Sequence, residues 1–317
     1  MEKTALITGI TGQDGSYLAA HLIALGYHVH GTSRNSASAP PRHSALGIEH
    51  KITLHTTDIT NLDDVTDLIR SITPTVIYHL AAQSSVTESF TDPFDTFYSN
   101  YVSTLTLLEA VHCTDNTIRF FHASSCEIFT PSAPQPLTLT SPKQPTSPYG
   151  LSKLSAHLLV EYYREKFGLF AVNGILFPHE SPLRQSQSFI TQLIHHAYTK
   201  QPFSITTKDI ERDFGDAAEY VVAIRRSLEQ TVARDYIIAS GQAYNMADII
   251  TYIYNSLHAP TSLITINANP SHNYAACIYG DSTHTQTQLD WKPIRTIYNV
   301  IDDMIAARLQ QSTDALV

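Results

Sequence analysis

Short apolar runs alternate with amphipathic stretches over the first half of the chain. The apolar runs are rich in β-branched and aromatic residues, which predicts strands, and the stretches between them have helical periodicity. We predict strands at 4–8, 27–32, 52–56, 75–80, 118–124 and 170–176, and helices at 14–25, 62–71, 93–112 and 148–167. Alternation of this kind favours a parallel sheet covered by helices on both faces, and right-handed crossovers make it doubly wound.

The alternation loosens after residue 177. The helices predicted there lie at 186–199, 217–229, 245–257 and 295–309. Between the strand at 118–124 and the helix at 148–167, the stretch from Pro131 to Pro148 carries six prolines and no periodicity. We expect this stretch to be an ordered loop or a lid.

A glycine-rich loop follows the first predicted strand. Gly9, Gly12 and Gly15 form a GxxGxxG pattern between that strand and an amphipathic helix. Glycines at such a turn let the backbone approach a pyrophosphate, which then lies at the helix N-terminus. In this context the pattern predicts dinucleotide binding.

These patterns together predict an α/β protein. We expect a Rossmann-like doubly wound parallel sheet over residues 1–176, to which a segment near 205–235 returns. A smaller C-terminal α/β cap over 177–317 is expected to bind substrate.

The composition of the chain argues against some classes of binding partner. The chain of 317 residues has a formal net charge of -9, which argues against nucleic acid. It has no apolar run of 18 residues, so we predict no membrane span. The first strand begins almost at Met1, which leaves no room for a signal peptide, and we expect a cytoplasmic protein.

The spacing of the cysteines bears on metal binding. Cys113, Cys126 and Cys277 have no metal-type spacing, so we predict no metal site. Two of the three lie in apolar elements, which favours buried thiols in a reducing compartment.

Four residues form a candidate catalytic group. Tyr149 and Lys153 are four residues apart on a predicted helix and therefore share a face. A lysine ammonium beside a phenol favours the phenolate, so Tyr149 is expected to act as a base near neutral pH. Ser125 can hold a sugar hydroxyl against Tyr149, and Glu127 suggests a second proton transfer at a neighbouring carbon.

The chain resembles the extended short-chain dehydrogenases/reductases and, within that group, the GDP-mannose 4,6-dehydratases. The likeness covers nearly the whole length and thins after about residue 260. The matching blocks are TGITGQDGSYL (8–18), HLAAQSSV (79–86), ASSCEIF (123–129), SPYGLSK (147–153), LFAVNGILFPHESP (169–182) and RDFGDAAEYV (212–221).

The resemblance implies a nicotinamide cofactor. Arg34 follows the second strand, where the family binds a 2′-phosphate, so NADP is expected, while Asn35 in place of a second Arg leaves NAD open. The cofactor contacts that the resemblance implies are Gly9, Gly12, Gln13, Asp14, Gly15, Arg34, Asp58, Ile59, Leu80, Ala81, Ala82, Ser84, Tyr149, Lys153, His179 and Arg184.

The resemblance also implies an activity. Ser125, Glu127, Tyr149 and Lys153 match the family's catalytic positions, which convert GDP-mannose to GDP-4-keto-6-deoxymannose by internal hydride transfer. Ser85, Glu127 and Arg212 match substrate-binding positions. The alternatives are a UDP-glucuronate decarboxylase, a C4 epimerase, a 4-keto reductase or a non-catalytic cofactor-binding protein.

Three departures from the family lie in the expected substrate pocket. Pro178 replaces an Asn, Gln192-Leu193 replaces a basic pair, and the run Tyr274–Cys277 stands where the family has Arg-Pro-x-Glu. These departures leave open which nucleotide sugar is the substrate.

Relatives pair through two long helices, here near 93–112 and 148–167, so we expect a homodimer. The loop at 34–42, through which some relatives form a tetramer, differs in this chain.

Overall fold

The computed structural model describes residues 3–34, 41–131, 135–184, 187–267 and 276–314. Its strands are β1 Thr4–Thr8, β2 His28–Ser33, β3 Ile52–Thr56, β4 Val76–His79, β5 Arg119–Ser125, β6 Ala171–Leu176, β7 His179–Glu180, β8 Phe203–Ile205, β9 Glu211–Asp213, β10 Gly215–Asp216, β11 Tyr236–Ile238, β12 Ala243–Asn245, β13 Ile264–Ile266 and β14 Cys277–Ile278. Its α-helices are α1 Gln13–Ala24, α2 Pro41–Ala45, α3 Leu62–Ile72, α4 Val86–Thr91, α5 Pro93–Phe97, α6 Ser103–Thr114, α7 Pro148–Phe167, α8 Phe189–Thr199, α9 Ala217–Ser227, α10 Met246–Ser256, α11 Thr283–Leu289 and α12 Ile297–Asp314.

A seven-stranded sheet forms the centre of the N-terminal part. Its order is β11-β6-β5-β4-β1-β2-β3, and every neighbouring pair is parallel. Buried apolar clusters lie between this sheet and the helices, one including α1 and α9 and another including α3, α6 and α7. The predicted Rossmann-like doubly wound sheet is confirmed.

Four elements of this part differ from the sequence prediction. The short helices α2 and α4 were not predicted, because five and six residues are too few to show helical periodicity. The seventh strand, β11, was not predicted, because three residues are too few to give a periodic signal. The helix predicted over 93–112 is interrupted by a π-helical turn at Tyr98–Val102 between α5 and α6. Periodicity does not reveal this turn, because a single wide turn is too short to be recognised within a long helical pattern.

A separate apolar cluster holds the C-terminal part together, with α8, α10 and α12 around it. Small sheets, β12-β9-β14 and β13-β8, border this cluster. The proline-rich loop contacts this part, since the Leu137 N–H donates to Tyr279 O (2.9 Å) and the Asp281 N–H to Leu137 O (2.8 Å). The division at residue 176, with the return near 205–235, stays a prediction. From beyond residue 176, α9 and β11 pack in the N-terminal part.

The cysteine prediction needs correction. Cys126 is buried, but Cys113 is exposed and Cys277 is part-buried. Cys113 lies in the last turn of α6, beyond the helix face that packs on the sheet. Within the described ranges, no helix is long and apolar enough to cross a membrane.

Candidate active site

The carboxyl ends of the parallel strands meet at one edge of the sheet. We call this the catalytic edge and define it by the ends of β1, β4, β5 and β6. The strand order places β1 between β2 and β4, so β2 and β3 follow on one side of β1, and β4, β5 and β6 follow on the other. Such a switch point leaves a crevice where open α/β sheets bind ligands.

The glycine loop at the end of β1 has no room for side chains. A Cβ on Gly9, whose φ is +72°, would lie 2.7 Å from Ala81 N, and a Cβ on Gly15 would lie 2.3 Å from Gly9 O. Gly12 caps α1 without a side-chain hydrogen bond. The loop therefore brings bare backbone to the positive end of the α1 dipole.

Gln13 and Asp14 bind the segment after β6. The His179 imidazole lies 2.9 Å from both Asp14 carboxylate oxygens, and the Ser181 hydroxyl donates to Gln13 Oε1 at 2.7 Å. Burial alone would raise the pKa of Asp14, but His179 outweighs it and lowers the pKa to about 2. Burial works against the imidazolium, yet Asp14 raises the pKa of His179. These side chains therefore join the glycine loop to β7 and to the residue that follows it.

Two arginines contact β7 and the residues that follow it. The Arg184 Nε lies 3.4 Å from Glu180 Oε2. Arg42, which sequence reasoning missed, donates from Nε to Leu183 O (2.7 Å) and from NH1 to Thr11 O (3.2 Å). In the sequence, Arg42 stands out only as a cation directly after two prolines. Such a pattern is also typical of a surface loop and therefore did not indicate a contact with the glycine loop. The structure makes Arg42 a clamp between the glycine loop and the segment after β7.

The remaining predicted cofactor residues lie along the same edge. Arg34 is exposed directly after β2. Exposed Asp58 accepts hydrogen bonds from the Thr60 N–H and hydroxyl, beside part-buried Ile59. The segment after β4 contains Leu80, Ala81, Ala82 and Ser84, and the Ala81 N–H donates to the Thr8 hydroxyl. Ser85 caps α4 by accepting from the Glu88 N–H.

The four candidate catalytic residues come together at the end of β5. Ser125 is the last residue of β5, and its hydroxyl accepts from the Glu127 N–H at 3.2 Å. The Ser125 hydroxyl also interacts with the phenol of Tyr149, which lies in the first turn of α7. Gly150 permits this approach, because a Cβ there would lie 2.5 Å from Glu127 O. Ser147 caps α7 by accepting from the Gly150 N–H at 3.0 Å.

The charges at this group follow from burial. Burial raises the pKa of Glu127, and the nearby Arg212 opposes the increase. Burial lowers the pKa of Lys153 to about 8, and its ammonium donates to Ala123 O at 2.9 Å. Burial also raises the pKa of Tyr149. The expected lowering of the Tyr149 pKa by Lys153 is therefore not seen in the isolated chain.

The π turn contributes a second missed residue, Asn100. Its amide donates to the Ser152 hydroxyl (2.9 Å) and to Gln83 O (3.1 Å), and its oxygen accepts from the Gln83 N–H (2.9 Å). Asn100 is buried and joins α7 to the segment after β4. In the sequence, the only indication of this role was that Asn100 is a polar residue within a predicted helix.

The departures in the expected substrate pocket have separate structural roles. Pro178 O accepts from the Gly215 N–H at 2.9 Å, and Gln192 donates to Gln187 O at 3.0 Å. Leu193 is completely buried in the C-terminal cluster. Arg212 donates from NH1 to Glu211 O at 2.7 Å. Residues 274 and 275 of the altered run lie outside the described residues, as does the loop over 35–40.

Comparisons with known proteins agree with this arrangement. The GDP-mannose 4,6 dehydratase family matches residues 6–304. The human GDP-mannose 4,6 dehydratase is 34% identical over 97% of this chain and 92% of its own length. The Vibrio cholerae GDP-mannose 4,6-dehydratase is 36% identical over 80% of this chain and 71% of its own length.

Solved structures share the fold at lower identity. A dTDP-glucose 4,6-dehydratase from Streptomyces venezuelae, bound to NAD, has a TM-score of 0.88 and 19% identity, covering 97% of each chain. A UDP-N-acetylglucosamine 4-epimerase from Methanobrevibacter ruminantium has a TM-score of 0.87 and 20% identity, covering 98% of this chain and 99% of its own. The match over residues 6–304 and the identity to the human and bacterial enzymes show that this chain belongs to the GDP-mannose 4,6-dehydratase family.

Proposed function

We propose that this protein is a nucleotide-sugar 4,6-dehydratase, with GDP-mannose as the expected substrate and NADP as the expected cofactor. One observation carries the proposal. The Ser125 hydroxyl contacts both the Tyr149 phenol and the Glu127 backbone at the end of β5, and the Glu127 carboxyl has a raised pKa beside Arg212. A base for the C4 hydroxyl and an acid–base group for loss of water across C5–C6 are what a 4,6-dehydratase requires.

The residues at the catalytic edge fit a dinucleotide. Space at Gly9 and Gly15 is too small for a Cβ, and the α1 N-terminus has no side-chain cap, so a pyrophosphate can approach the backbone there. Exposed Arg34 follows β2 and suits a 2′-phosphate, which favours NADP over NAD. The bound nicotinamide supplies a hydride acceptor for C4, a hydride donor for C6 and a nearby positive charge.

The protein residues move the protons. Ser125 orients the C4 hydroxyl, and Tyr149 accepts its proton as C4 is oxidised. The resulting ketone acidifies the C5 proton, which Glu127 removes. Glu127 then donates that proton to the departing C6 hydroxyl, so one water leaves per turnover. When hydride returns to C6, C5 would take up a proton, and the proton held by Tyr149 supplies it and restores the base. The raised pKa of Glu127 suits this double role, because the same carboxyl must act as base and then as acid.

The differences from the family in the expected substrate pocket bear on the identity of the nucleotide sugar. Arg212 is part-buried near Glu127 and is our candidate for a diphosphate contact. The uncharged Pro178 and Gln192 replace polar and basic family positions, so less of the nucleotide's charge is matched there. GDP-mannose stays the expected substrate because the family relatives are named for it.

The test is incubation of the purified protein with GDP-mannose and catalytic NADP, followed by mass spectrometry. We expect a product lighter by one water, absent with Glu127→Gln. Loss of water from another nucleotide sugar only would change the substrate and keep the reaction. Stoichiometric consumption of cofactor, or no turnover of any sugar while cofactor stays bound, would overturn the dehydratase.

We also propose a homodimer. Phe94, Tyr98, Leu151, Leu158 and Tyr162 are exposed apolar residues on and beside α5 and α7. An apolar surface of this kind on paired helices suits a second copy. Sedimentation of the protein and of Leu158→Glu tests the pairing, with the variant expected as a monomer. A tetramer would involve the loop outside the described residues, and a cytoplasmic location stays a prediction.

A further inference from the structure

A polar cluster lies on α7 one helical turn beyond Lys153. It consists of His157, Glu161 and Asp235, and Asp235 directly precedes β11. The cluster takes no part in the proposed chemistry. One donor atom from each of the three residues lies within 4.8 Å of the other two.

The His157 ring nitrogen that faces this cluster lacks a good hydrogen bond. His157 Nε2 lies 3.4 Å from Glu161 Oε1 and 3.4 Å from Asp235 Oδ2. Both distances exceed the usual range for an N–H···O bond. The His157 side chain is completely buried, and Nε2 has no hydrogen-bond partner among the described residues.

The spacing suits ligands that share a cation. Zinc bonds to imidazole nitrogen and carboxylate oxygen are about 2.0–2.2 Å long, so neighbouring ligand atoms around a tetrahedral ion lie about 3.3–3.5 Å apart. The two distances from His157 Nε2 fall in this range. A histidine and a glutamate four residues apart on one helix also point the same way.

Neighbouring groups already orient these ligands. The His157 Nδ1 lies 3.1 Å from the Ser124 hydroxyl, so Nδ1–H can donate there and leave the lone pair on Nε2. Asp235 Oδ1 accepts from Arg164 (2.9 Å) and Asn173 (3.2 Å), and Oδ2 is the oxygen that faces His157. Metal ligands in proteins are typically fixed by such outer hydrogen bonds.

Two carboxylates, Glu161 and Asp235, face the buried ring nitrogen of His157. Arg164 contacts Asp235 at its other oxygen, Oδ1, so it does not occupy the space between the three residues. Glu161 is 30% exposed and Asp235 13% exposed, so an ion can enter from solvent.

From this geometry we propose that His157, Glu161 and Asp235 form a structural site for a divalent metal ion of the zinc type. One imidazole with two carboxylates is a donor set that Zn²⁺ accepts, with water completing the shell. The ion would join the far part of α7 to the start of β11, and so brace the helix that carries Tyr149 and Lys153. The proposal is independent of the substrate and of the reaction.

The test uses the full chain after dialysis against a chelator. Zn²⁺ is added during calorimetric titration and thermal unfolding, and Co²⁺ serves as a visible-absorption probe of coordination. We expect one Zn²⁺ per chain and, at zinc concentrations about a hundredfold above Kd, a midpoint increase of roughly 3–6 °C. Co²⁺ should give absorption bands typical of a four- or five-coordinate site.

The matched variants are Glu161→Gln and Glu165→Gln. Both remove one charge from α7, but Glu165 is exposed and outside the cluster. Glu161→Gln should weaken zinc binding at least tenfold and abolish the midpoint increase, while Glu165→Gln should behave like the parent. Because Glu161 is partly exposed, its variant is expected to fold, unlike a replacement of buried His157.

Two results would overturn the proposal. One is equal zinc affinity in the parent and Glu161→Gln, which would place the ion elsewhere among the sixteen histidines. The other is no zinc effect in the parent, which would mean that a protonated His157 alone occupies the space between the two carboxylates.

Discussion

Two regions of the molecule contribute to the proposed site, and they are built differently. Around Ser125 and Tyr149, contacts between backbone atoms set the geometry, with Gly9 and Gly150 in places where a Cβ does not fit. Around Pro178 and Gln192, the chain has ordinary backbone and side-chain contacts that do not depend on a ligand. The chemistry therefore tolerates little change, whereas nucleotide recognition can vary without loss of the fold.

The largest effect should come from the base itself. We expect Tyr149→Phe to lower kcat by about 10²–10⁴-fold, because the hydroxyl that removes the C4 proton is lost. The ring is buried and Phe keeps its packing, so the thermal midpoint should change little. Tyr162→Phe, an exposed change on the same helix, is the control. Equal activity of both variants would remove Tyr149 from the mechanism.

Arg212 should have the next largest effect, because it lies near Glu127 and is the candidate contact for the substrate diphosphate. We expect Arg212→Gln to raise KM for the nucleotide sugar roughly 10–150-fold, since a charge-assisted hydrogen bond contributes about 1.5–3 kcal/mol. Steady-state kinetics measure this, with Arg225→Gln on α9 as the control.

Arg212→Gln should also shift the pH dependence of kcat in a definite direction. Burial raises the pKa of Glu127 and Arg212 lowers it, so activity falls as pH decreases through that pKa and the carboxylate is protonated. Removing Arg212 raises the pKa further, which moves the acid limb of kcat to higher pH. An unmoved acid limb would mean that Arg212 acts on substrate alone.

A backbone contact is tested by Gly150→Ala. Its Cβ would lie 2.5 Å from Glu127 O, so α7 must move away from β5. We expect the free energy of unfolding to decrease by about 1–3 kcal/mol in urea, although alanine favours helices more than glycine. Glu165→Ala, at an exposed position of α7 outside the proposed dimer surface, is the control. An increase in stability would contradict the close approach.

The smallest effect is expected in the variable region. Gln192→Arg restores a cation and should lower KM for GDP-mannose by up to about tenfold, which corresponds to about 1.4 kcal/mol. Stability should not change, because Gln192 is on the surface of α8. His195→Arg, also on α8 and exposed, controls for general charge. An increase in KM with Gln192→Arg alone would indicate that another nucleotide sugar is the substrate.

The sequence predicted the sheet and the tight glycine turn after β1 because both depend on local signals. Strands such as β1 and β4 are continuous apolar runs, and Gly9 to Gly15 lie within seven consecutive residues. The contacts of Tyr149 with Ser125 were predictable only because the helix start and the strand end are both marked in sequence. The assigned roles of these residues stay predictions.

Contacts between distant segments could not be predicted. Asn100 acts from within a π turn, Arg42 binds Leu183 O across 141 positions, and Asp235 meets His157 only after β11 joins the sheet. Cys113 was misplaced because an apolar helix was taken as buried on all sides. Periodicity reports which face is apolar, but not which remote polar group it meets.

The pair Asp14–His179 has a consequence for synthesis of the protein on the ribosome. The two residues are separated by 165 positions, so the loop that is translated first lacks its charged partner until more than half of the chain has emerged. Contacts of such long range form late, since the ends of a long segment must first meet. A nascent chain should therefore gain dinucleotide affinity only once His179 and the segment around it have left the exit tunnel.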